Sequence, residues 1–379
     1  DTFTGAIVLT AGPTSSSNIS FNNGTLNNDV TINYFPGTTA SLGVTITGDF
    51  IVPAVRTFTV NDGPATSDLT ISGIVSGAGG ITKAGAGQLA LTGNSTYAGV
   101  NTFNAGTVLA TSNGSLGAAG AGTTTVANGA ALALSGGITL ADAITVTGSG
   151  IFNATGVPTA IGTIPLGSGG IRNLSGNNIL TGNVTIGANT SFDVASGSNL
   201  NIGGAGAGVL AFSTNSAIKT GTGTMELSGT ASNTGAGRLY VNEGLVELNK
   251  SGAAIALPVA EVVIGDTLGG DNADVIRYKT GATGTDQIGA AARVWVTSSG
   301  LLDLNGSSDS IALDIIQFVG ATSSGDITTG SGILTKTGGN FFVIGEAGST
   351  TSTAPATITG NLNLGGAVRN FEVREAGAA

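Results

Sequence analysis

Glycine interrupts this chain so often that few stretches run ten residues without one; 65 of the 379 residues are Gly. Each Gly in a helix interior costs about 1 kcal/mol relative to Ala, and β-branched residues are also weak helix formers, so helix is nearly excluded. What lies between the glycines reads as strand: VTINYF at 30–35, then 44–47, 123–126, 143–147, 184–187 and 191–195. With the weaker runs between them, these segments return roughly every eight to twelve residues. A Gly-, Ser- and Asn-rich chain is often disordered, but here mean hydropathy is +0.34, and Val, Ile and Leu recur regularly enough to build a core.

One segment recurs recognisably. GAGGITKAGAGQLALTGNSTYAGVNTFNAGTVLA spans 77–110, SAIKTGTGTMELSGTASNTGAGRLYVNEGLVEL spans 216–248, and a partial copy, GSGILTKTGGNFFVIG, spans 330–345. The shared positions are Lys83, Lys219 and Lys336, with Gly85 and Gly87, Gly221 and Gly223, and Gly338 behind them. Leu89, Leu91, Gly93, Tyr97, Gly99 and Gly106 complete the pattern in the first copy, and Leu227, Gly229 and Gly244 in the second. The chain enters this pattern at TFTGAIVLTAG, 2–12, and leaves it at TITGNLNLGGAVRNFEV, 357–373, which resembles TITGDFIVPAVRTFTV at 45–60. Solenoids end in atypical caps, and neither end reads as one. The expectation is therefore a piece of a longer array, 1–379 forming one continuous solenoid.

KAGAGQLALTGNSTYAG followed by NAGTVLA, residues 83–99 and 104–110, resembles the autotransporter-associated β-strand repeat, also called the passenger-associated transport repeat. The resemblance implies a right-handed parallel β-helix within large secreted or surface-displayed bacterial proteins. It implies an extracellular or cell-surface location, and repeats that continue one another end to end. The second copy departs from the pattern where the aromatic residue and its Gly should stand, and the third lacks the NAG segment.

In such a fold rungs stack at about 4.8 Å, and rungs of roughly 20–25 residues predict about 15–19 of them in a rod about 70–90 Å long. Alternation places Leu89 and Leu91 on one face and Gln88, Ala90 and Thr92 on the other. The same holds for Leu132 and Leu134, Met225 and Leu227, and Leu302 and Leu304. Gly85, Gly87 and Gly93 fit corners, and Asn94, Asn177 and Asn178 suit turns. The three repeated lysines read either as a charge ladder for packing neighbouring filaments or as outward residues that blunt sideways strand pairing; the second reading is preferred.

Formal net charge is −10, which disfavours nucleic acid and anionic membrane as partners. With no Cys and no His, disulfides, thiol nucleophiles and imidazole bases are excluded. No stretch is long and apolar enough for a transmembrane helix. Charge is uneven: from Ala84 to Gly170 the only charged side chain is Asp142, whereas 226–326 is denser and less regular. That section suggests lateral loops and is the best place for a contact surface.

Asp266, Asp271 and Asp274 are the only calcium candidates, and their spacing fits no known calcium loop. Solvated turn carboxylates is the preferred reading, and Asp303 and Asp309 are read the same way. Tyr97, Phe103 and Tyr240 could stack on sugars, but rung packing explains them as well. The sparse acids supply no facing catalytic pair. The expected function is thus structural and without cofactor: the repetitive body of a surface protein or filament. An adhesin binding surface glycans is the alternative, and a polysaccharide lyase or hydrolase the least favoured reading.

Overall fold

The computed structural model describes the chain except residues 1, 4, 6, 13–17, 36, 38–41, 151–156, 160–161, 165–168, 347–352 and 376–379. Among the described residues there is no helix, and the strands stack almost entirely in parallel. The fold is a parallel β-helix.

The chain visits three faces in turn. One long sheet of fifteen strands runs from Asn18–Ser20 to Phe371–Arg374. A nine-stranded sheet, from Ile7–Ala11 to Leu210–Ala211, forms a second face. The third face starts as a four-stranded sheet ending at Val75–Ser76, and resumes as a ten-stranded sheet from Thr139–Leu140 onward. Fifteen strands stacked at about 4.8 Å make a body about 70 Å long. Rungs are less uniform than the sequence suggests. The repeat distance in the long sheet is 19 residues where Gln88 meets Thr107, and 39 where Leu132 meets Ile171. The surplus is taken up between strands, and the ladder holds register from Leu132 to Leu134 before shifting by one residue at Ser135.

Alternation turns every second residue inward, and register stacks those residues into columns. One column runs Leu69, Leu89, Val108, Leu132, Ile171, Phe192, all fully buried. Each such side chain contributes about 1.5–3 kcal/mol before entropy is counted, so the core accumulates rung by rung. The inward pairs expected from the sequence, including Met225 with Leu227 and Leu302 with Leu304, are buried.

Corners are where a solenoid loses ladder bonds, and here side chains supply them. Asn101 is buried; its Oδ1 accepts from Ile81 N at 3.3 Å, and its Nδ2 donates to Leu116 O at 2.9 Å. Asn233 does the same between Leu210 N and Ala256 O. Asn178 stands in the strand Asn177–Leu180 rather than in a turn, and accepts from Ile138 N at 2.8 Å. A buried amide thereby carries the hydrogen-bond ladder across a bend, which leaves no orphaned backbone group there. Glycine serves two distinct needs. Gly85 turns with φ of +78°, whereas Gly99 has no room for a side chain, because a Cβ there would lie 2.3 Å from Gly79 C.

The lysines of the repeat are not outward. Lys83, Lys219 and Lys336 have no exposed surface, and a fourth, Lys250, joins them. Lys83 stands in register between Phe58 and Phe103, and its Nζ donates to the carbonyls of Ala84, Gly85 and Ala105 at 3.0, 2.6 and 3.1 Å. Lys219 repeats this with Thr220, Gly221 and Glu243 at 3.0, 2.5 and 2.9 Å. Lys336 donates to Leu313 O and lies 5.4 Å from the Phe341 ring. In Lys83 and Lys219 the long apolar stem crosses the core and the ammonium gathers three corner carbonyls, whereas Lys250 Nζ has no hydrogen-bond partner among the described residues. Edge protection is therefore not their role.

Candidate functional site

The nine-stranded sheet carries an uninterrupted column of threonine on its outer surface. Thr57, Thr82, Thr102, Thr125, Thr145 and Thr185 face one another across six successive rungs in exact register pairs. Five of them are flanked in sequence by buried residues, as Thr145 is by Ile144 and Val146, and Thr57 stands between the partly exposed Arg56 and the buried Phe58, so strand alternation turns the hydroxyls outward. All six are partly exposed. None of their hydroxyls has a hydrogen-bond partner among the described residues.

Beside this column runs a groove of about 480 Å³. Its walls come from one corner repeated over four rungs: Gly122 and Thr123, Ala141 and Ala143, Thr181 to Asn183, and Ala207 with Gly208. Thr123 pairs with Ala143 two residues before Thr125 pairs with Thr145, so groove and column run side by side along the helix axis. Small side chains make the groove: most of its lining is Gly and Ala. Its lining holds no charged residue. Asp142 lies between two lining residues but is buried, and burial lifts its carboxyl to about 6.

The denser charge of 226–326 is arranged differently. Strands such as Glu261–Ile264, Asp274–Tyr278 and Arg293–Val296 continue the ladders through it. On the outer surface of the long sheet Arg238, Glu261 and Arg293 stand in register. Arg238 meets Glu261 at 2.7 Å, and Arg293 lies 3.6 Å from Glu261 and 3.8 Å from Asp314. One step along each strand an apolar row follows: Ile218, Tyr240 and Val263, with Trp295 packed against them and stacked on Phe318 at 5.9 Å. Lys279 binds Glu226 at 2.7 Å, with Asn249 on the other carboxylate oxygen at 2.6 Å. Burial would raise the Glu226 carboxyl, but these partners hold it below its ordinary value. Many of the charges in this section thus pair with one another.

The candidate calcium residues do not assemble. Asp271 is exposed, whereas Asp266 and Asp274 are buried rather than solvated. Ser299 explains both: its hydroxyl donates to Asp274 Oδ2 at 2.7 Å and accepts from the backbone N–H groups of Asp266 and Thr267. Burial pushes Asp274 up to about 7. Asp309 is buried too, also at about 7, and accepts from Ile288 N and Ser310 N. Asp303 pairs with Arg277 at 2.8 Å. Among the described residues no three acidic groups gather around a common point fit for a metal ion. Tyr97, Phe103 and Tyr240 are buried, so none presents a ring to a sugar. Tyr97 instead donates from its hydroxyl to Asn101 Oδ1 at 3.0 Å.

The threonine column was open to sequence reading through one signal, a Thr between two inward residues once per rung, as in ITK, NTF, ITV and VTI. The groove had no such signal, since its shape depends on how four distant corners align.

Comparison with known proteins agrees with the repeats. The passenger-associated-transport-repeat model matches residues 81–110 and 218–248, the two full copies. The adhesin BmaC autotransporter of Brucella suis biovar 1 (strain 1330) is 28% identical over 279 residues, 70% of this chain and 7% of that protein. This chain therefore spans only a small part of the relative's length. No solved structure matches. Two segments of this parallel β-helix, residues 81–110 and 218–248, thus carry the passenger-associated transport repeat.

Proposed function

We infer that this chain is a stretch of the stiff, repetitive body of a bacterial surface passenger, holding other parts of such a protein away from the cell. The observation that carries this reading is the long sheet, fifteen strands in one ladder over a single continuous core. Every rung contacts only its neighbours, so length is added without altering what is already folded. The buried acids Asp274 and Asp309 and the ion-paired Glu226, Glu261 and Asp303 are held by structural partners. Joining end to end fits the same architecture, since one rung can template the next. Electron microscopy of the isolated chain tests it. Particles about 70 Å long and of even width are expected; compact round particles would overturn the reading.

An adhesive role is the second reading. It is favoured by the similarity to an autotransporter named as an adhesin, and the outer surface of the nine-stranded sheet is where it would reside.

A further inference from the structure

We propose that the threonine column and the adjoining groove form a binding site for a neutral, extended polysaccharide lying parallel to the helix axis, of the β-1,4-glucan or chitin type.

Three observations carry this. First, the six hydroxyls of Thr57, Thr82, Thr102, Thr125, Thr145 and Thr185 lie on the outer surface without a partner among the described residues, spaced by one rung, about 4.8 Å. Hydroxyls that far apart cannot bond one another. They can each meet one unit of a polymer that advances by nearly one rung per sugar, as a flat, extended β-1,4 chain does. Second, the groove runs beside that column, and Asn183 and Thr123 add polar groups to walls made otherwise of Gly, Ala and Thr181, whose hydroxyl donates to Leu140 O. A sugar ring can approach closely where no side chain projects. Third, the groove lining is uncharged although the chain carries a net −10; charge meets the column at its Thr57 end, where Arg56 precedes it and Asp29 accepts from Thr57 N. The groove offers no lining cation to a uronate or phosphate polymer and no lining acid to a polyamine, so the fitting ligand is neutral.

A second copy of this chain is the competing occupant, and area argues against it. The column and its margins measure roughly 25 Å by 10 Å, about 250 Å², against about 800 Å² per partner in a stable interface. A polymer gains instead by repetition, since many weak contacts on one chain add through effective concentration.

The test uses the full chain with cellohexaose, N-acetylchitohexaose and mannohexaose as neutral probes and oligogalacturonate as the charged one. Binding is read by saturation-transfer difference spectroscopy. Transfer to cellohexaose or N-acetylchitohexaose is expected, with none to oligogalacturonate. The triple variant Thr125→Val, Thr145→Val, Thr185→Val keeps side-chain shape and removes three hydroxyls, and should weaken binding at least about tenfold. If that variant does not fold, Ala143→Arg, a change at an exposed groove position, should block the site by bulk. No transfer from any neutral probe, equal binding by the variants, or equal binding of oligogalacturonate would overturn the proposal. So would a valine-sensitive dimer in sedimentation, which would assign the surface to a copy of the chain. The stalk reading does not depend on the outcome, because rods that bind no sugar would overturn this proposal alone.

Discussion

Lys83 and Lys219 close the same corner of the repeat on different faces of the molecule. Lys83 is the penultimate residue of the strand Ile81–Ala84 in the nine-stranded sheet, as Lys219 is of Ser216–Thr220 in the long sheet. The strands that follow, Gln88–Leu91 and Thr224–Gly229, are displaced by one face in the same sense. The corner chemistry thus travels with the sequence and not with the position around the axis.

Replacing Lys219 by Met keeps the buried stem and removes the ammonium. Three carbonyls, those of Thr220, Gly221 and Glu243, lose their donor. The expected cost is about 1–3 kcal/mol, the penalty of buried acceptors left unpaired. Because a solenoid need not unfold as one unit, hydrogen exchange should show the loss concentrated near residues 216–248. Unchanged protection there would show that the cage contributes nothing.

The pH dependence of stability should have a minimum near neutrality. Burial raises Asp142 to about 6 and Asp274 and Asp309 to about 7. The folded chain therefore holds more protons than the unfolded chain between about pH 4 and 7, and stability falls as pH rises through that window. Burial lowers Lys83, Lys219, Lys250 and Lys336 to about 8. Above about pH 8 the unfolded chain binds more protons than the folded one, so stability recovers toward the ordinary lysine value. Urea midpoints at about pH 5, 7.5 and 9.5 should be higher at both extremes than in the middle. A midpoint that peaks at pH 7.5 would contradict the assignment.

Asn101→Leu should be more damaging than its near-equal volume suggests. The substitution strips the Asn bonds to Ile81 N, Leu116 O, the Tyr97 hydroxyl and Thr124 Oγ1. A loss of about 2–4 kcal/mol is expected, from more than one buried group left unpaired. Thermal denaturation of this variant beside Tyr97→Phe, which removes one of those bonds, gives the comparison; the phenylalanine change should cost about 1 kcal/mol.

Gly99→Ala is predicted to be poorly tolerated for steric reasons alone. The backbone of Gly79 and Gly80 on the preceding rung fills the space a Cβ would need, with Gly80 N at 2.4 Å. Backbone cannot rotate away as a side chain can, so the rungs must part locally, at a cost of about 1–3 kcal/mol. A lower melting temperature with an unchanged β-sheet circular dichroism spectrum is the expected signature.

The ion row on the long sheet should matter little. Glu261→Gln removes the carboxylate shared by Arg238 and Arg293, yet both arginines are substantially exposed. The expected change is at most about 1 kcal/mol and should vanish in about 1 M salt. A larger, salt-insensitive loss would point to packing by the arginine stems.

The coiled architecture was legible because its determinants are local. Gly at corners and alternating Val, Ile and Leu act over five or six residues, and Leu89 with Leu91 or Met225 with Leu227 fall inward as alternation dictates. Polar residues were misread where their partners are a rung away. Lys83 depends on Ala105 and Asp309 on Ile288, and a carbonyl some twenty residues distant leaves no trace in the neighbouring sequence. Asp274 was mistaken for a solvated turn for the same reason, since the hydroxyl that holds its carboxylate belongs to Ser299; the Asp266 carboxylate does sit in a local turn, accepting from Leu268 N, but its burial is set by packing that the neighbouring sequence does not show. Rung length failed differently. A ladder fixes register only at the strands, so a segment of any size can intervene, as the 39 residues separating Leu132 from Ile171 show.

Since the lysine corner closes wherever its segment falls, a duplication need not contain a whole number of coils to fold. A copied piece can resume one third of a turn out of phase and still find carbonyls for its ammonium and a column for its leucines. Genes encoding such bodies can lengthen or shorten by unequal crossover between copies, with no requirement that the break points respect the geometry of a turn.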